Sequence, residues 1–115
     1  MHGSIIFQPF VLKSMFVHCV FFWLRDDLTE EERETFVEGI NSLTTIDTVK
    51  HGFVGTPADT NRPIIDRSYS YALVAAFDDQ YDHDAYQVDP VHDRFRDTCA
   101  SFWSDVKIYD LLTPF

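Results

Sequence analysis

The sequence predicts an α+β domain in which four antiparallel strands form one sheet with helices on one face. Three observations predict this fold. Four short stretches are rich in the aromatic and β-branched residues that favour strands. Amphipathic segments of helical period follow the first and the third of these stretches. A chain of 115 residues also suits a single domain.

The first predicted strand covers residues 16–24, FVHCVFFWL, and is apolar on both faces. Side chains alternate along a strand, so its residues divide into two sets. The set that we expect to pack on the chain's own helices is His18, Val20, Phe22 and Leu24. The set that we expect to pack on the sheet of a second subunit is Val17, Cys19, Phe21 and Trp23. The strand therefore predicts a homodimer.

The first predicted helix covers residues 29–43 and has a clear start. Thr29 and Glu32 have the T-x-x-E spacing of a capping box, in which each side chain binds the other residue's backbone amide. The core-facing stripe of this helix is Phe36, Ile40 and Leu43. A weaker strand is predicted over residues 46–55, with His51 on its surface.

Residues 56–67 are predicted to form a loop, because they contain two prolines and several turn-forming residues. The remaining elements are, in chain order, a strand over 68–77, a short helix over 78–87, a longer helix over 90–103 and a strand over 106–112. The resulting order βαββαβ is that of a ferredoxin-like sheet.

Composition and charge exclude some classes of partner. The net charge of −10 argues against nucleic acid or an anionic membrane, since both attract basic surfaces. The 11 phenylalanines give more apolar surface than one small core hides, which favours an oligomer. Cys19 and Cys99 lie within apolar patterns and are predicted to be free thiols, in keeping with a cytoplasmic protein.

Residues 1–14 are predicted to be an N-terminal extension or leader that the domain over 15–115 does not need. Their apolar stretch is broken by Gln8 and Pro9, and it lacks the basic leader and cleavage site of a signal peptide. It is also too short to span a bilayer.

Residues 85–95 contain the junction of the last two predicted helices. Asp89 suits the cap of the second helix, and Pro90 suits its first position. Tyr86 and His92 are then held near one bend, where a phenol and an imidazole can exchange protons with a bound molecule. Asp89, His92 and Asp93 lie close along the chain but are too few for a metal site, so neither metal nor cofactor is predicted.

Several motifs together resemble the stress-responsive α/β-barrel (Dabb) family over residues 15–113. They are VHCVFFWL, the TEEER helix start, VGTP, the tyrosine-rich third strand, AYQVDPVH and the closing IYD. The resemblance implies a dimeric α+β barrel, in which two ferredoxin-like sheets pair face to face.

The resemblance also implies a site. In the polyketide cyclase branch of the family, a Tyr and a His of the motif Y-x-x-x-P-x-H form the catalytic pair, and these positions are Tyr86 and His92 here. His18 matches a pocket histidine, whereas Tyr71 stands where that branch has another one. Phe22 and Phe95 complete the expected ligand pocket.

Two functions remain open, because the Tyr/His motif also occurs in relatives with no known activity. The alternative interpretation of the motif is structural: the pair locks the helix junction. The first is a homodimeric stress-response protein that binds a small hydrophobic molecule without catalysis. The second is a cofactor-independent enzyme, similar to a polyketide cyclase or an isomerase, acting on a hydrophobic carbonyl compound. An open cleft beside Tyr86 and His92 favours the second, and a filled junction favours the first.

Overall fold

A computed structural model describes residues 14–114 of the chain. Its strands are β1 (Phe16–Leu24), β2 (His51–Gly55), β3 (Tyr71–Phe77) and β4 (Trp103–Leu112). Its α-helices are α1 (Glu30–Ser42), α2 (Gln80–Gln87) and α3 (Pro90–Cys99). The strands form one sheet in the order β2-β3-β1-β4, and each neighbouring pair is antiparallel. The predicted βαββαβ order is therefore confirmed, with α2 and α3 together in the place of the second helix.

The predicted start of α1 is confirmed by its hydrogen bonds. The backbone N–H of Glu32 donates to the Thr29 hydroxyl at 3.1 Å, and the N–H of Thr29 donates to the Glu32 carboxylate at 2.9 Å. At the start of α3, the N–H of Val91 donates to the Asp89 carboxylate at 2.8 Å. These caps satisfy amides that have no partner within the helix.

Three strand boundaries differ from the predicted ones. β2 begins at His51, because the backbone before it makes turn hydrogen bonds, including one from Val49 N–H to the Ile46 carbonyl at 2.9 Å. β3 begins at Tyr71 instead of residue 68. α3 ends at Cys99, and β4 begins three residues earlier than predicted because Trp103 pairs with β1 beyond an irregularity in the ladder.

The core lies between the helices and one face of the sheet. The inward side chains of β1 and β3 meet the stripe of α1, of which Phe36 and Ile40 are fully buried. α1 and α3 approach closely at Gly39, where an added Cβ would lie 2.9 Å from the Cys99 sulfur and 3.0 Å from the Phe95 ring. Glycine therefore allows a closer approach of the two helices than a residue with a side chain would.

The opposite face of the sheet has no helix on it. Its side chains on β1 are half-buried in the single chain: Val17, Cys19, Phe21 and Trp23. On β2 and β4, the exposed apolar side chains of this surface include Phe53 and Tyr109. The ring of Phe21 packs edge-on against Tyr109 at 6.2 Å. We call this surface the open sheet face.

Cys19 and Cys99 are both free thiols, as predicted. Burial raises the pKa of both thiols, which keeps them protonated and unreactive. The predicted extension falls outside the described range, except for Ser14, so its role stays a prediction. Between residues 14 and 114, no helix is long and apolar enough to cross a membrane.

Candidate functional site

A cavity of about 260 Å³ lies between the sheet and the junction of α2 and α3. Strand β1 contributes three inward side chains to it, and the helices close the other side. Its lining consists of His18, Val20, Phe22, Leu43, Leu73, Tyr86, Gln87, His92, Phe95, Arg96, Trp103, Val106 and Ile108. Most of these side chains are apolar, and the polar ones come mainly from the helix junction and from β1.

Tyr86 lies near the end of α2 and is 1% exposed. Its ring packs edge-on against Phe77 at 5.1 Å and against His92 at 5.0 Å. Its hydroxyl makes no hydrogen bond to any residue of the described range, and Tyr86 lines the cavity. Burial raises the pKa of this phenol well above its ordinary value, so the hydroxyl stays protonated and can donate a hydrogen bond to a bound molecule.

His92 lies in the first turn of α3, where Asp89 and Pro90 fix the backbone. Its Nδ1 is buried and has no hydrogen-bond partner among residues 14–114. Burial lowers the pKa of this imidazole, and the positive charge of Arg96 lowers it further. The ring is therefore neutral at pH 7 and able to accept a proton. Tyr86 and His92 pack together without a hydrogen bond between them.

His18 enters the cavity from β1 and is 3% exposed. Its Nδ1 lies 2.6 Å from a carboxylate oxygen of Asp110, the residue directly opposite it on β4. Burial lowers the pKa of His18 more than the Asp110 carboxylate raises it. The carboxylate orients the imidazole, whose ring lies 5.8 Å from that of Tyr86.

His83 is a buried histidine that the sequence analysis did not single out. It lies three residues before Tyr86, on the same face of α2, and stacks on Phe16 with ring centroids 4.3 Å apart. Its Nδ1 lies 3.0 Å from the Asp84 carboxylate, and its Nε2 is buried without a partner in the described part of the chain. Asp110 was likewise missed. The sequence held a signal for each residue: His83 is three positions before Tyr86 on the same helix, and Asp110 ends the IYD motif.

The structure brings together all but one of the side chains predicted for the site. His18, Phe22, Phe95, Tyr86 and His92 line one cavity. Tyr71 does not: its ring packs on Phe36 at 5.5 Å, and it borders a shallow hollow beside α1. The strand alternation gives Tyr71 an inward direction, but it lies towards α1 and away from the α2–α3 junction.

Comparison with known families gives a match over nearly all of the described chain. Residues 16–112 match the family described as the stress responsive A/B barrel domain. No curated protein sequence matches the chain significantly.

Solved structures share the fold. A Dabb family protein with a ferredoxin-like fold from Mesorhizobium loti is 26% identical, with a TM-score of 0.69, covering 89% of this chain and 98% of its own. A dimeric ferredoxin-like protein of unknown function from Thermobifida fusca is 21% identical, with a TM-score of 0.70, and the match covers 98% of this chain and 100% of that protein. A hydroxynitrile lyase from Passiflora edulis is 16% identical, with a TM-score of 0.73, and the match covers 89% of this chain and 95% of that protein.

The last two structures, at these identities, show the fold alone. The family match rests on the sequence itself and spans β1 to β4, including the junction that holds Tyr86 and His92. The chain therefore belongs to the stress responsive A/B barrel domain family.

Proposed function

We propose that this chain binds a small, largely apolar carbonyl compound in the cavity beside Tyr86 and His92. One observation carries the proposal: the junction is open, and about 260 Å³ of space lies against a phenol that has no hydrogen-bond partner in the described chain. Ligand sites combine apolar walls with a few convergent polar groups, and they begin at about 300 Å³. This cavity is close to that lower limit, so the ligand is small.

The mouth of the cavity favours a ligand with a polar or acidic outer end. Gln87 and Arg96 are both exposed and both line the cavity. Arg96 forms no ion pair within residues 14–114, although the chain has a net charge of −10. A guanidinium without a carboxylate partner can bind an acidic group of a ligand. The ligand's apolar body then lies against Phe22 and Leu73.

A homodimer formed through the open sheet face is part of the proposal. The face places aromatic side chains side by side, with Phe21 packed edge-on against Tyr69 at 5.1 Å. Exposed apolar patches of this kind mark protein interfaces. The relative from Thermobifida fusca is described as dimeric, which supports the same assembly here. We further propose that the protein is cytoplasmic, a setting in which its two free thiols stay reduced.

Catalysis by proton transfer is the second candidate, and both the open junction and the protonation states of the pair favour it. His92 is neutral and can remove a proton from the carbon next to the ligand's carbonyl. The C–H electron pair then forms a C=C bond, and the carbonyl π electrons move to oxygen, where the Tyr86 hydroxyl donates a hydrogen bond. If the ligand carries a C=C bond conjugated with the enolate, return of the proton at the far end of that bond gives an isomerase. Attack of the enolate carbon on a second carbonyl gives a cyclase. The hydroxynitrile lyase shows that the fold is compatible with an enzyme.

The test is a thermal-shift screen of small apolar carbonyl compounds, with and without a carboxylate, because a ligand of the folded state raises the melting temperature. Tyr86→Phe should abolish stabilisation by the best compound while keeping the packed ring. The matched control is Tyr81→Phe, which removes a hydroxyl from an 80% exposed tyrosine on the same helix and should change nothing. Equal binding by Tyr86→Phe and the wild type would refute the proposed site.

A turnover assay with the same compound separates binding from catalysis. His92→Ala should stop proton exchange, followed by NMR in D₂O at the carbon next to the carbonyl. The control His51→Ala removes an exposed imidazole from β2 and should leave exchange unchanged. If the compound binds but exchanges no faster than in buffer, the protein is a binding protein and the catalytic candidate is rejected.

A further inference from the structure

Beside the cavity, three polar side chains meet where α2 packs on the sheet. They are His18 of β1, His83 of α2 and Asp110 of β4, and one potential ligand atom of each lies within 4.8 Å of the other two. Among the His, Cys, Asp and Glu side chains of residues 14–114, no other trio comes this close. Two imidazoles and a carboxylate are ligands that divalent transition metals, and zinc in particular, use in proteins.

The state of His83 gives independent support for a ligand. The residue is 6% exposed, and its Nε2 is buried with no hydrogen-bond partner in the described chain. Its Nδ1 is engaged by the Asp84 carboxylate at 3.0 Å. This carboxylate holds the proton on Nδ1 and leaves the lone pair on Nε2, which is how outer carboxylates prepare histidines to bind metals. A buried nitrogen without a partner is otherwise unfavourable.

The dimensions of the trio are close to those of a metal site. The three ligand atoms lie within 4.8 Å of one another, and the Nδ1 of His18 is only 2.6 Å from the Asp110 oxygen. Zinc bonds of about 2.0–2.2 Å place two ligands of a tetrahedral ion about 3.3 Å apart. Metal binding therefore requires His18 and Asp110 to separate by about 0.7 Å, with the His18 proton on Nε2, and His83 to lie about 3.3 Å from both.

We propose that His18, His83 and Asp110 bind one divalent transition-metal ion, with zinc the best match. The carboxylate compensates one of its two positive charges, and three protein ligands leave one tetrahedral position for water or for a molecule in the cavity. The ion joins α2 to both β1 and β4. The site shares His18 with the wall of the cavity but does not use Tyr86 or His92, on which the proposed function depends.

The test uses the full chain, stripped of metal with a chelator and titrated with ZnCl₂ by calorimetry. A parallel titration with CoCl₂ is followed by visible absorption, which reports the coordination geometry. We expect one ion per chain and the intense absorption of a tetrahedral site. Zinc should also raise the melting temperature by several degrees.

Two variants remove one ligand each. His83→Phe keeps an aromatic ring against Phe16, and Asp110→Asn keeps the shape of a half-exposed side chain. Each should weaken zinc binding by more than about tenfold, since even the loss of an outer partner costs a metal site that much. His51→Gln, which alters an exposed histidine, and Tyr86→Phe should bind zinc as the wild type does.

The proposal is overturned if the wild type binds no zinc, if both ligand variants bind it with unchanged affinity, or if His51→Gln removes the binding. Melting curves without metal establish that each variant folds. If His83→Phe does not fold, Asp110→Asn alone decides the outcome. Loss of ligand binding in Tyr86→Phe together with intact zinc binding would separate this site from that of the proposed function.

Discussion

Gly39→Ala should destabilise the protein through a clash that a second substitution relieves. The added Cβ would lie 2.9 Å from the Cys99 sulfur and 3.0 Å from a Phe95 ring carbon. Both neighbours are at least 95% buried, so neither can move aside without disturbing the core. Overpacking of this kind costs about 1–3 kcal/mol. Alanine is better than glycine inside a helix by about 1 kcal/mol, which offsets part of the loss. We expect a net destabilisation of about 1 kcal/mol.

A double-mutant cycle with Cys99→Ala isolates the clash. Removing the sulfur relieves the closer of the two contacts, so in this background Gly39→Ala should be close to neutral. The coupling energy between the two sites should then be about 1–2 kcal/mol. Urea denaturation of the four proteins at one fixed concentration measures it. Gly55→Ala is the matched control, because nothing lies within 4 Å of its added Cβ.

Identical effects of Gly39→Ala in the two backgrounds would refute this reasoning. The result also bears on the site, because the contact at Gly39 sets the position of α3. That helix carries His92 and Phe95 into the cavity. A shift of α3 away from α1 should therefore weaken ligand binding as well as stability.

Three further predictions concern the open sheet face, two buried histidines and residues 1–14. Phe21→Lys places an ammonium at the centre of the open sheet face, where dimer formation would bury it without a partner. Light scattering should therefore show a monomer for this variant and a dimer for the wild type. A wild-type monomer at micromolar concentration contradicts the proposed interface. The pKa values of His18 and His92 are lowered in the folded state, so the unfolded state binds more protons near pH 6. Stability should fall as the pH drops from 7 to 5, and His18→Gln should flatten this slope in urea titrations; a slope of opposite sign contradicts it. Deletion of residues 1–14 should leave melting temperature and dimer mass unchanged, and a truncated chain that unfolds would show that the extension belongs to the core.

The sequence predicted best the features that depend on neighbouring residues. The capping box of α1 and the start of α3 are local hydrogen-bond patterns, and both are confirmed at the expected residues. The bounds of β1 were also predicted correctly, because its alternation is uninterrupted. The start of β2 was wrong, since the apolar Ile46 and Val49 resemble a strand but lie in turns.

The site was harder to predict, because it depends on strand order and register. His18 and Asp110 are 92 positions apart, and they meet only because β4 pairs with β1 in a register that places them opposite each other. The alternation of side chains along β3 predicts that Tyr71 points inwards, but it does not predict how far Tyr71 lies from α2. Whether the junction is open depends on how thirteen side chains pack together, which no local pattern encodes.

The two ends of the domain are joined to each other. The N–H of Met15 donates to the Thr113 hydroxyl at 2.8 Å, and the N–H of Thr113 donates to the Met15 carbonyl at 2.9 Å. A short peptide linker could therefore connect them, and new termini could be opened in the exposed loop around residue 60. Such a circular permutant would keep all four strands in place. A protein fused directly ahead of Met15 would begin beside Thr113, at the end of the sheet where β1 begins and β4 finishes.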